Sequence, residues 1–361
     1  MALVVVGGCG GGDAGASGPT GPDDWGVGSD TSTGSGDGGI PDGGSMGSED
    51  GSTESDAGPQ PLGPPYPIVL AHGFFGFEDL VGIVEYWYEI PAELERAGET
   101  QVFVTEVDPF NGSDVRGAEL ITQIEMILAT TGHDKVNLIG HSQGGLDARV
   151  VAHERPDLVA SATTLATPHQ GSEIADLVES LPDSVLEDLL PVLTDFLGIV
   201  YDQDTAKSDV LAALDLFSED GIAAFNATYT DSPGVPYYSI TGRSDWTWAT
   251  EECDAADRPS FITKWDDERD PIDPLLSFME GTLDDGDPIW DWGNIHPNDG
   301  LVRVESGKWG RFLGCIPADH LDEVGQLFGD SPDAGSLLRK NDFDYLEFYV
   351  DLIEWLRAQG H

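Results

Sequence analysis

The sequence predicts an α/β fold built on a mainly parallel sheet. Short runs rich in Val, Ile and Leu alternate with segments whose apolar residues recur at helical spacing, which is typical of successive βαβ units. The run YPIVLAHG, which begins at Tyr66, and the run KVNLIG over 135–140 have the composition of buried parallel strands. A glycine-rich turn follows the second run directly, so we expect that turn at the carboxyl edge of the sheet.

The remaining elements follow in a regular order. Helical spacing is clearest over 115–130, where Leu120, Ile124 and Ile127 are three or four residues apart. The further predicted helices cover 85–96, 143–153 and 343–358, and the further predicted strands cover 101–107, 159–166, 237–241 and 300–305. Between 172 and about 229 the pattern changes to amphipathic pieces, which either pack as an ordinary insertion or form a mobile lid.

The amino-terminal part of the chain differs in composition from the rest. Residues 10–63 are dominated by Gly, Ser, Asp, Thr and Pro and contain neither Lys nor Arg. Such a segment buries too little apolar surface to offset the entropy of folding, so we predict a disordered acidic tether. We expect one folded domain over 64–361.

Residues 1–9, MALVVVGGC, resemble the end of a bacterial lipoprotein signal, in which Cys9 would become the lipidated residue. The run lacks a basic region and is shorter than a complete signal peptide. We therefore expect a secreted protein or a lipoprotein of the cell envelope. No other stretch is long and apolar enough in sequence to cross a bilayer.

The charge balance excludes one class of partner. The chain has 67 acidic and 16 basic residues and a formal net charge of −51. It would repel the phosphate backbone, so we expect no nucleic-acid partner. Most of this charge favours solubility, although a few carboxylates are expected to bind a cation.

The cysteines are consistent with export. Cys253 and Cys315 are the pair that remains once Cys9 is assigned to lipid, and a disulfide between them fits an extracytoplasmic protein. The alternative is two buried free thiols. No cysteine spacing typical of a metal site is present.

The strongest chemical signal is Gly140-His141-Ser142-Gln143-Gly144, a G-x-S-x-G pattern between a predicted strand and a predicted helix. Small flanking residues allow a tight turn that exposes the serine hydroxyl as a nucleophile. The N–H of Gln143 would stabilise the oxyanion formed on attack, and Phe74, after His72-Gly73, would supply the second donor. The alternative for the segment HGFFG is a simple strand-ending turn.

The general base should lie downstream of the serine, after an acidic residue. His153 and His169 lie too near the serine in sequence, and His361 is the terminal residue. His320 is therefore the leading candidate and His296 the reserve. Each could instead be a structural histidine, but the serine needs a base.

The acid that orients this base is expected in the Asp-rich region between 245 and 299. Asp299 lies in a turn ahead of His320, which suits a rigidly held carboxylate. Asp245 is its main rival, and Asp299 could also only cap its turn.

Several of these segments together resemble bacterial lipase family I, the triacylglycerol lipases. The resemblance extends from Tyr66 to about 329, and its segments are YPIVLAHG, EYWYEIPAEL, KVNLIGHSQGGLDARVVA, DLVASATTLATPHQGSEIAD, GIAAFNATY, NDGLV and HLDEVGQLFG. It implies the α/β-hydrolase fold, a mainly parallel central sheet with helices on both faces and a helical lid insertion. By matching positions it implies a triad of Ser142, Asp299 and His320, with Phe74 and Gln143 in the oxyanion hole.

The resemblance also implies a structural calcium ion and no organic cofactor. The matching positions are Asp273, Asp322, Gln326 and the backbone carbonyl of Asp330, and such oxygen ligands suit calcium. The alternative is that Asp322 and Gln326 are ordinary polar residues of a helix face. The expected substrate is a lipid or other ester at an oil–water interface, and the expected state is a monomer.

Departures from the family pattern leave some points open. Gln170 stands where the family motif TPHRGS has arginine, and the segment around Cys315 is unlike the common versions. Export route, disulfide placement and the need for a dedicated foldase therefore stay undecided. The alternative functions are a short-chain carboxylesterase or polyester depolymerase with the same triad, and a non-catalytic surface binding protein.

Overall fold

Among the residues that the structure describes, a six-stranded, fully parallel sheet forms the centre of the folded domain. The structure is a computed structural model that describes residues 61–73, 86–109, 111–172, 175, 215–244, 251–270, 276, 296–326 and 342–361. The strands, in the spatial order β2-β1-β3-β4-β5-β6, are β1 Ile68–Ala71, β2 Val102–Thr105, β3 Val136–His141, β4 Val159–Leu165, β5 Tyr237–Gly242 and β6 Arg311–Ile316.

Helices connect and cover the strands. They are α1 Ile90–Arg96, α2 Ser113–Thr131, α3 Gln143–Glu154, α4 Glu219–Thr228, α5 Ser260–Thr263, α6 Val304–Gly307 and α7 Tyr345–Ala358. Short 3₁₀ turns cover Pro156–Leu158, Glu251–Cys253 and Asp322–Val324. The predicted α/β architecture with a mainly parallel sheet is confirmed.

Apolar side chains bury both faces of the sheet. Along β1, Ile68 and Leu70 join a cluster with α1 and α7, whereas Val69 and Ala71 join a second cluster with α2 and α3. Alternate residues of a strand point to opposite faces, so a strand covered on both sides buries the side chains of both faces and is mostly apolar. This requirement explains why the strand sequences do not alternate between apolar and polar residues.

The strand order decides where a site can form. The chain passes from β1 to β2 on one side and then to β3 on the other side of β1. The connections therefore leave a crevice at the carboxyl ends of β1 and β3, which is where open parallel sheets bind their ligands. The segments 72–73 and 142–143 begin at this crevice.

Two predicted elements differ from the structure. The predicted strand 300–305 is wrong: this region holds an isolated bridge between Asn298 and Arg303, followed by α6. The last strand is β6, which the sequence analysis missed because its glycine interrupts the apolar run. The predicted helix 85–96 begins at Ile90, with a proline in its first turn.

Several predicted segments lie outside the described residues. These are the signal-like segment 1–9 with Cys9, nearly all of the tether 10–63, and most of the predicted lid 172–229. The described end of the lid region is α4, which Ser218 caps by accepting a hydrogen bond from the N–H of Gly221. Among the described residues, no helix is both long and apolar enough to cross a bilayer.

A disulfide joins Cys253 to Cys315, as predicted, across a sequence separation of 62 residues. Cys315 lies on β6, five residues before His320, and both cysteines are buried beside Val304. The bond therefore ties the segment that leads to His320 to the turn at Glu251–Cys253.

We expect the double variant Cys253→Ala/Cys315→Ala to be less stable than the parent by about 2–4 kcal/mol, because a cross-link over a loop of this length restricts the unfolded chain. Chemical denaturation would measure this change. A reducing agent should destabilise the parent by a similar amount and leave the double variant unchanged. Equal sensitivity of both proteins to the reductant would contradict this prediction.

Candidate active site

Ser142 lies at a sharp turn between β3 and α3. Its backbone has φ 55° and ψ −128°, in the left-handed range of φ that a non-glycine residue rarely adopts. The N–H of Ser142 donates to the carbonyl of Leu165 at 2.9 Å, and its own carbonyl accepts from the N–H of Gly145. Neighbouring backbone thus holds a strained geometry that suits an exposed nucleophile.

The turn is possible only because the glycines two residues before and two residues after Ser142 have no side chain. A Cβ on Gly144 would lie 2.1 Å from the carbonyl oxygen of Ala71, at the end of β1. A Cβ on Gly140 would lie 2.3 Å from the carbonyl oxygen of Gly144. Both contacts involve backbone atoms that cannot move aside, which explains the small residues of the motif.

Gly73 lies between the serine and an aromatic side chain. A Cβ at this position would lie 2.6 Å from the Cβ of Ser142 and 2.6 Å from the hydroxyl oxygen of Tyr86. The Gly73 N–H donates to that hydroxyl at 2.9 Å. Phe74, the predicted second oxyanion donor, lies outside the described residues.

Gln143, the predicted first oxyanion donor, occupies the first position of α3 and is fully buried. The N–H groups in the first turn of a helix have no acceptor within that helix. Its side chain is engaged elsewhere, since Nε2 donates to the carbonyl of Asn111 at 2.9 Å. The backbone amide is therefore placed where a developing negative charge could be stabilised.

The structure brings Asp299 and His320 together. His320 Nδ1 lies 2.8 Å from Asp299 Oδ2, and the His320 N–H donates to the Asp299 carbonyl at 2.9 Å. The other oxygen, Asp299 Oδ1, accepts from the N–H groups of Leu301 and Val302. The ring of His320 lies 4.5 Å, between centroids, from that of His141, the residue before the serine.

The other histidines considered as bases contact different groups. His296 lies against Glu252 at 3.2 Å, and His153 lies 2.8 Å from the carbonyl of Thr230. His169 is buried beside Arg149, and burial lowers its pKa well below the usual value. Asp245, the rival acid, lies outside the described residues. Of the candidates described, Asp299 and His320 form the pair that meets at the serine turn.

A buried ion pair that the sequence analysis missed supports the crevice. Arg116 Nε on α2 donates to Asp147 Oδ2 on α3 at 2.8 Å, and Arg116 Nη2 donates to the His72 carbonyl at 2.6 Å. Burial, partly offset by Arg116, raises the pKa of Asp147 to about 6. The arginine thus joins two helices to the backbone that ends β1.

A second missed group surrounds His141. Its Nδ1 lies 2.5 Å from the Tyr86 hydroxyl and its Nε2 lies 2.9 Å from Glu323 Oε2. Burial, followed by the charge of His320, lowers the pKa of His141 well below its usual value. Burial, followed by the charge of Asp299, raises the pKa of Glu323 well above its usual value.

Three carboxylates near His320 could hold a metal ion. One oxygen each from Asp270, Asp319 and Asp322 lies within 4.8 Å of the others. Asp322 was predicted as a ligand, whereas Asp270 and Asp319 were missed. Gln326 is close by in the chain, and its N–H donates to the carbonyl of Leu321. Asp273 and Asp330 lie outside the described residues.

One signal in the sequence could have pointed to two of the missed residues. The missed Asp319 and Glu323 lie beside the predicted base together with Asp322, so a cluster of acids around His320 was visible in the segment ADHLDE. No comparable signal marks Tyr86 or Arg116, because their partners lie far away in the chain.

Comparisons with known proteins identify the family of this chain. Residues 66–193 match the family described as alpha/beta hydrolase fold. A triacylglycerol lipase of Vibrio cholerae serotype O1 is 35% identical over 276 residues, which cover 73% of this chain and 81% of that protein. The chain belongs to bacterial lipase family I of the α/β hydrolases. A triacylglycerol lipase of Pseudarthrobacter phenanthrenivorans is 32% identical over 295 residues, covering 73% of this chain and 90% of the relative.

Solved structures support the fold of this family member. Staphylococcus hyicus lipase matches with a TM-score of 0.54 at 18% identity, covering 84% of this chain and 98% of the other. EstA from Clostridium botulinum matches with a TM-score of 0.53 at 20% identity, covering 83% and 88%. At these identities the likeness concerns the fold alone, and it confirms the predicted α/β-hydrolase fold.

Buried His72 should make the stability of the protein depend on pH. Burial lowers the pKa of His72 to about 3, whereas an unfolded histidine titrates near 6.5. The unfolded state therefore binds more protons below pH 6.5, and the free energy of unfolding should fall as pH decreases from 6.5 towards 3. The contribution of His72 is about 1.4 kcal/mol per pH unit.

Chemical denaturation of the parent and of His72→Gln at several pH values would measure this contribution. The free energy of unfolding should depend less steeply on pH in the variant than in the parent. If the variant does not fold, NMR titration of the parent replaces it. An imidazole at position 72 that titrates near pH 6 in the folded protein would contradict the prediction.

Proposed function

We propose that this chain hydrolyses carboxylic esters, with triacylglycerols as its substrate class, through an acyl-enzyme on Ser142. The observation that supports this proposal most directly is the Asp299–His320 pair beside the strained serine turn. The named relatives, which are triacylglycerol lipases, favour lipid esters.

The proposed reaction begins with attack of the Ser142 hydroxyl oxygen on the ester carbonyl carbon. His320 takes the serine proton on Nε2, while Asp299 holds Nδ1–H and stabilises the imidazolium. The tetrahedral oxyanion would accept hydrogen bonds from the backbone amides of Gln143 and Phe74. His320 then gives its proton to the leaving alcohol, and a water molecule activated by His320 releases the fatty acid.

The oxygen-rich cluster beside the base fits calcium. Calcium prefers carboxylate, amide and carbonyl oxygens, and Asp270, Asp319 and Asp322 supply carboxylates within a few ångströms of one another. We propose that these residues, with Gln326, Asp273 and the carbonyl of Asp330 as further candidates, hold a structural ion. When bound, the ion would neutralise the clustered charge and stabilise the segment that carries His320. No organic cofactor is proposed.

We also propose an extracytoplasmic location, either secreted or held at the cell envelope through Cys9. The disulfide supports this location, since such bonds persist in oxidising compartments. Residues 172–229 would act as a lid that opens at an oil–water interface. The proposed state is a monomer. Expression of the chain with and without a co-expressed foldase would decide whether a foldase is required for folding.

Substitution of the predicted triad tests the chemistry. We expect Ser142→Ala to abolish labelling by an active-site phosphonate and Asp299→Asn to lower kcat by about 10⁴-fold, because the histidine would lose its orienting partner. His296→Gln is the control and should retain activity. Full labelling of Ser142→Ala would exclude this mechanism, and absence of labelling in the parent would favour a non-catalytic binding protein.

The substrate class needs a separate test. An acyl-chain series from short soluble esters to emulsified long-chain triacylglycerols should show a higher rate on the emulsion. Hydrolysis confined to soluble short-chain esters would instead favour a carboxylesterase. Hydrolysis of a polyester film would favour a polyester depolymerase.

Calcium removal should lower both stability and activity. A chelator is expected to reduce the melting temperature by several degrees, because an ion that binds only the folded state stabilises it by mass action. Added calcium should restore the melting temperature and the activity of the parent. Asp322→Asn should be insensitive to the chelator, whereas a substitution at exposed Asp254, Asp254→Asn, should behave like the parent. An unchanged melting curve of the parent under chelation would contradict the proposed ion.

A further inference from the structure

A chain of hydrogen bonds connects a buried carboxyl group to the backbone beside the serine. The Gly73 N–H donates to the Tyr86 hydroxyl at 2.9 Å, and this hydroxyl lies 2.5 Å from His141 Nδ1. His141 Nε2 lies 2.9 Å from Glu323 Oε2. The chain links the end of β1, the residue before Ser142 and the turn after His320.

One direction of donation satisfies every donor and acceptor in this chain. In that direction the Tyr86 oxygen accepts from the Gly73 N–H and its hydroxyl hydrogen is donated to His141 Nδ1. The imidazole proton then lies on Nε2, which donates to Glu323. A neutral His141 satisfies every one of these bonds, and His141 is fully buried.

The Gly73 backbone is also held at its carbonyl. Its oxygen accepts from His72 Nδ1 at 2.9 Å and from Arg116 Nη2 at 3.3 Å. Tyr86 is thus the side chain that fixes the N–H side of Gly73, while His72 and Arg116 fix its carbonyl side.

We propose that Tyr86 is a positioning residue for ester hydrolysis. Its hydroxyl, oriented by His141 and Glu323, holds the Gly73 backbone against the Cβ of Ser142, so that the end of β1 and the nucleophile keep a fixed relative position before the substrate binds. This inference rests on the proposed hydrolase function. Tyr86 itself need not touch the substrate.

The packing of Tyr86 supports a fixed position. Its ring lies 5.5 Å from the ring of Trp87 and 5.7 Å from that of His72, between centroids. Trp87 also contacts Tyr349, whose hydroxyl donates to the Glu323 carbonyl at 3.1 Å. Tyr349 therefore offers a matched control: it has a hydrogen-bonded hydroxyl in the same aromatic cluster, but its bond is not made to Gly73.

The expected effect falls on turnover and not on substrate binding. Removing one oxyanion donor costs roughly 10²–10³-fold in kcat, and loss of a contact that positions the backbone beside Ser142 should cost less, about 10–100-fold. The uncharged ester carbonyl of the bound substrate gains little from this positioning, so the KM of Tyr86→Phe should stay within about twofold of the parent value. A purely structural role would instead lower the melting temperature without this separation of kcat from KM.

The test compares Tyr86→Phe with Tyr349→Phe on a soluble p-nitrophenyl ester. We expect Tyr86→Phe to lower kcat and the rate of phosphonate labelling in parallel by about 10–100-fold. Tyr349→Phe should stay within about threefold of the parent. Equal kinetics of the two variants would overturn the positioning role while leaving the hydrolase function intact. A parent that neither hydrolyses esters nor reacts with the phosphonate would overturn the proposed function itself.

Amide hydrogen exchange gives a second measurement, and its result for the parent does not depend on a variant that folds. The Gly73 amide should be protected in the parent, and this protection should be lost in Tyr86→Phe but kept in Tyr349→Phe. If the Gly73 amide of the parent exchanges as fast as an exposed amide, the proposed hydrogen bond does not form and the inference fails.

Discussion

Close backbone contact between the carboxyl ends of β1 and β3 is the constraint on which the site depends. Gly144 approaches the Ala71 carbonyl so closely that no side chain fits, and Gly73 lies directly against Ser142. Two adjacent parallel strands produce this contact because their ends meet at one edge of the sheet. The serine is therefore positioned by the closely packed ends of two central strands.

Burial gives the surrounding titratable groups unusual properties. His72 and His141 are held neutral because a charged imidazole would lose its hydration there. Asp299 accepts two backbone N–H bonds in addition to its contact with His320, so its carboxylate has a fixed direction. Such preorganised dipoles need little rearrangement when charge develops on a substrate.

Much of the fold and of the site could be predicted from local sequence. The strand before Ser142, the helix after it and the surrounding glycines form one contiguous segment, so pattern and chemistry agree there. Assigning 300–305 as a strand failed because GLVRVE has strand-like composition, although the chain there forms a turn and a short helix. Composition cannot tell an apolar turn from a strand when tertiary contacts decide the outcome.

The sequence by itself determined the alternation of strands and helices as far as β5, the tight turn at Ser142 and the identity of the residues that could act with it. Only the tertiary structure decided that Asp299 and His320 meet, that Asp270 and Asp319 join Asp322, and that Glu323 reaches Gly73 through His141 and Tyr86. The reason is physical: local periodicity depends on neighbours along the chain, whereas these contacts join residues that the sheet topology brings together from distant segments.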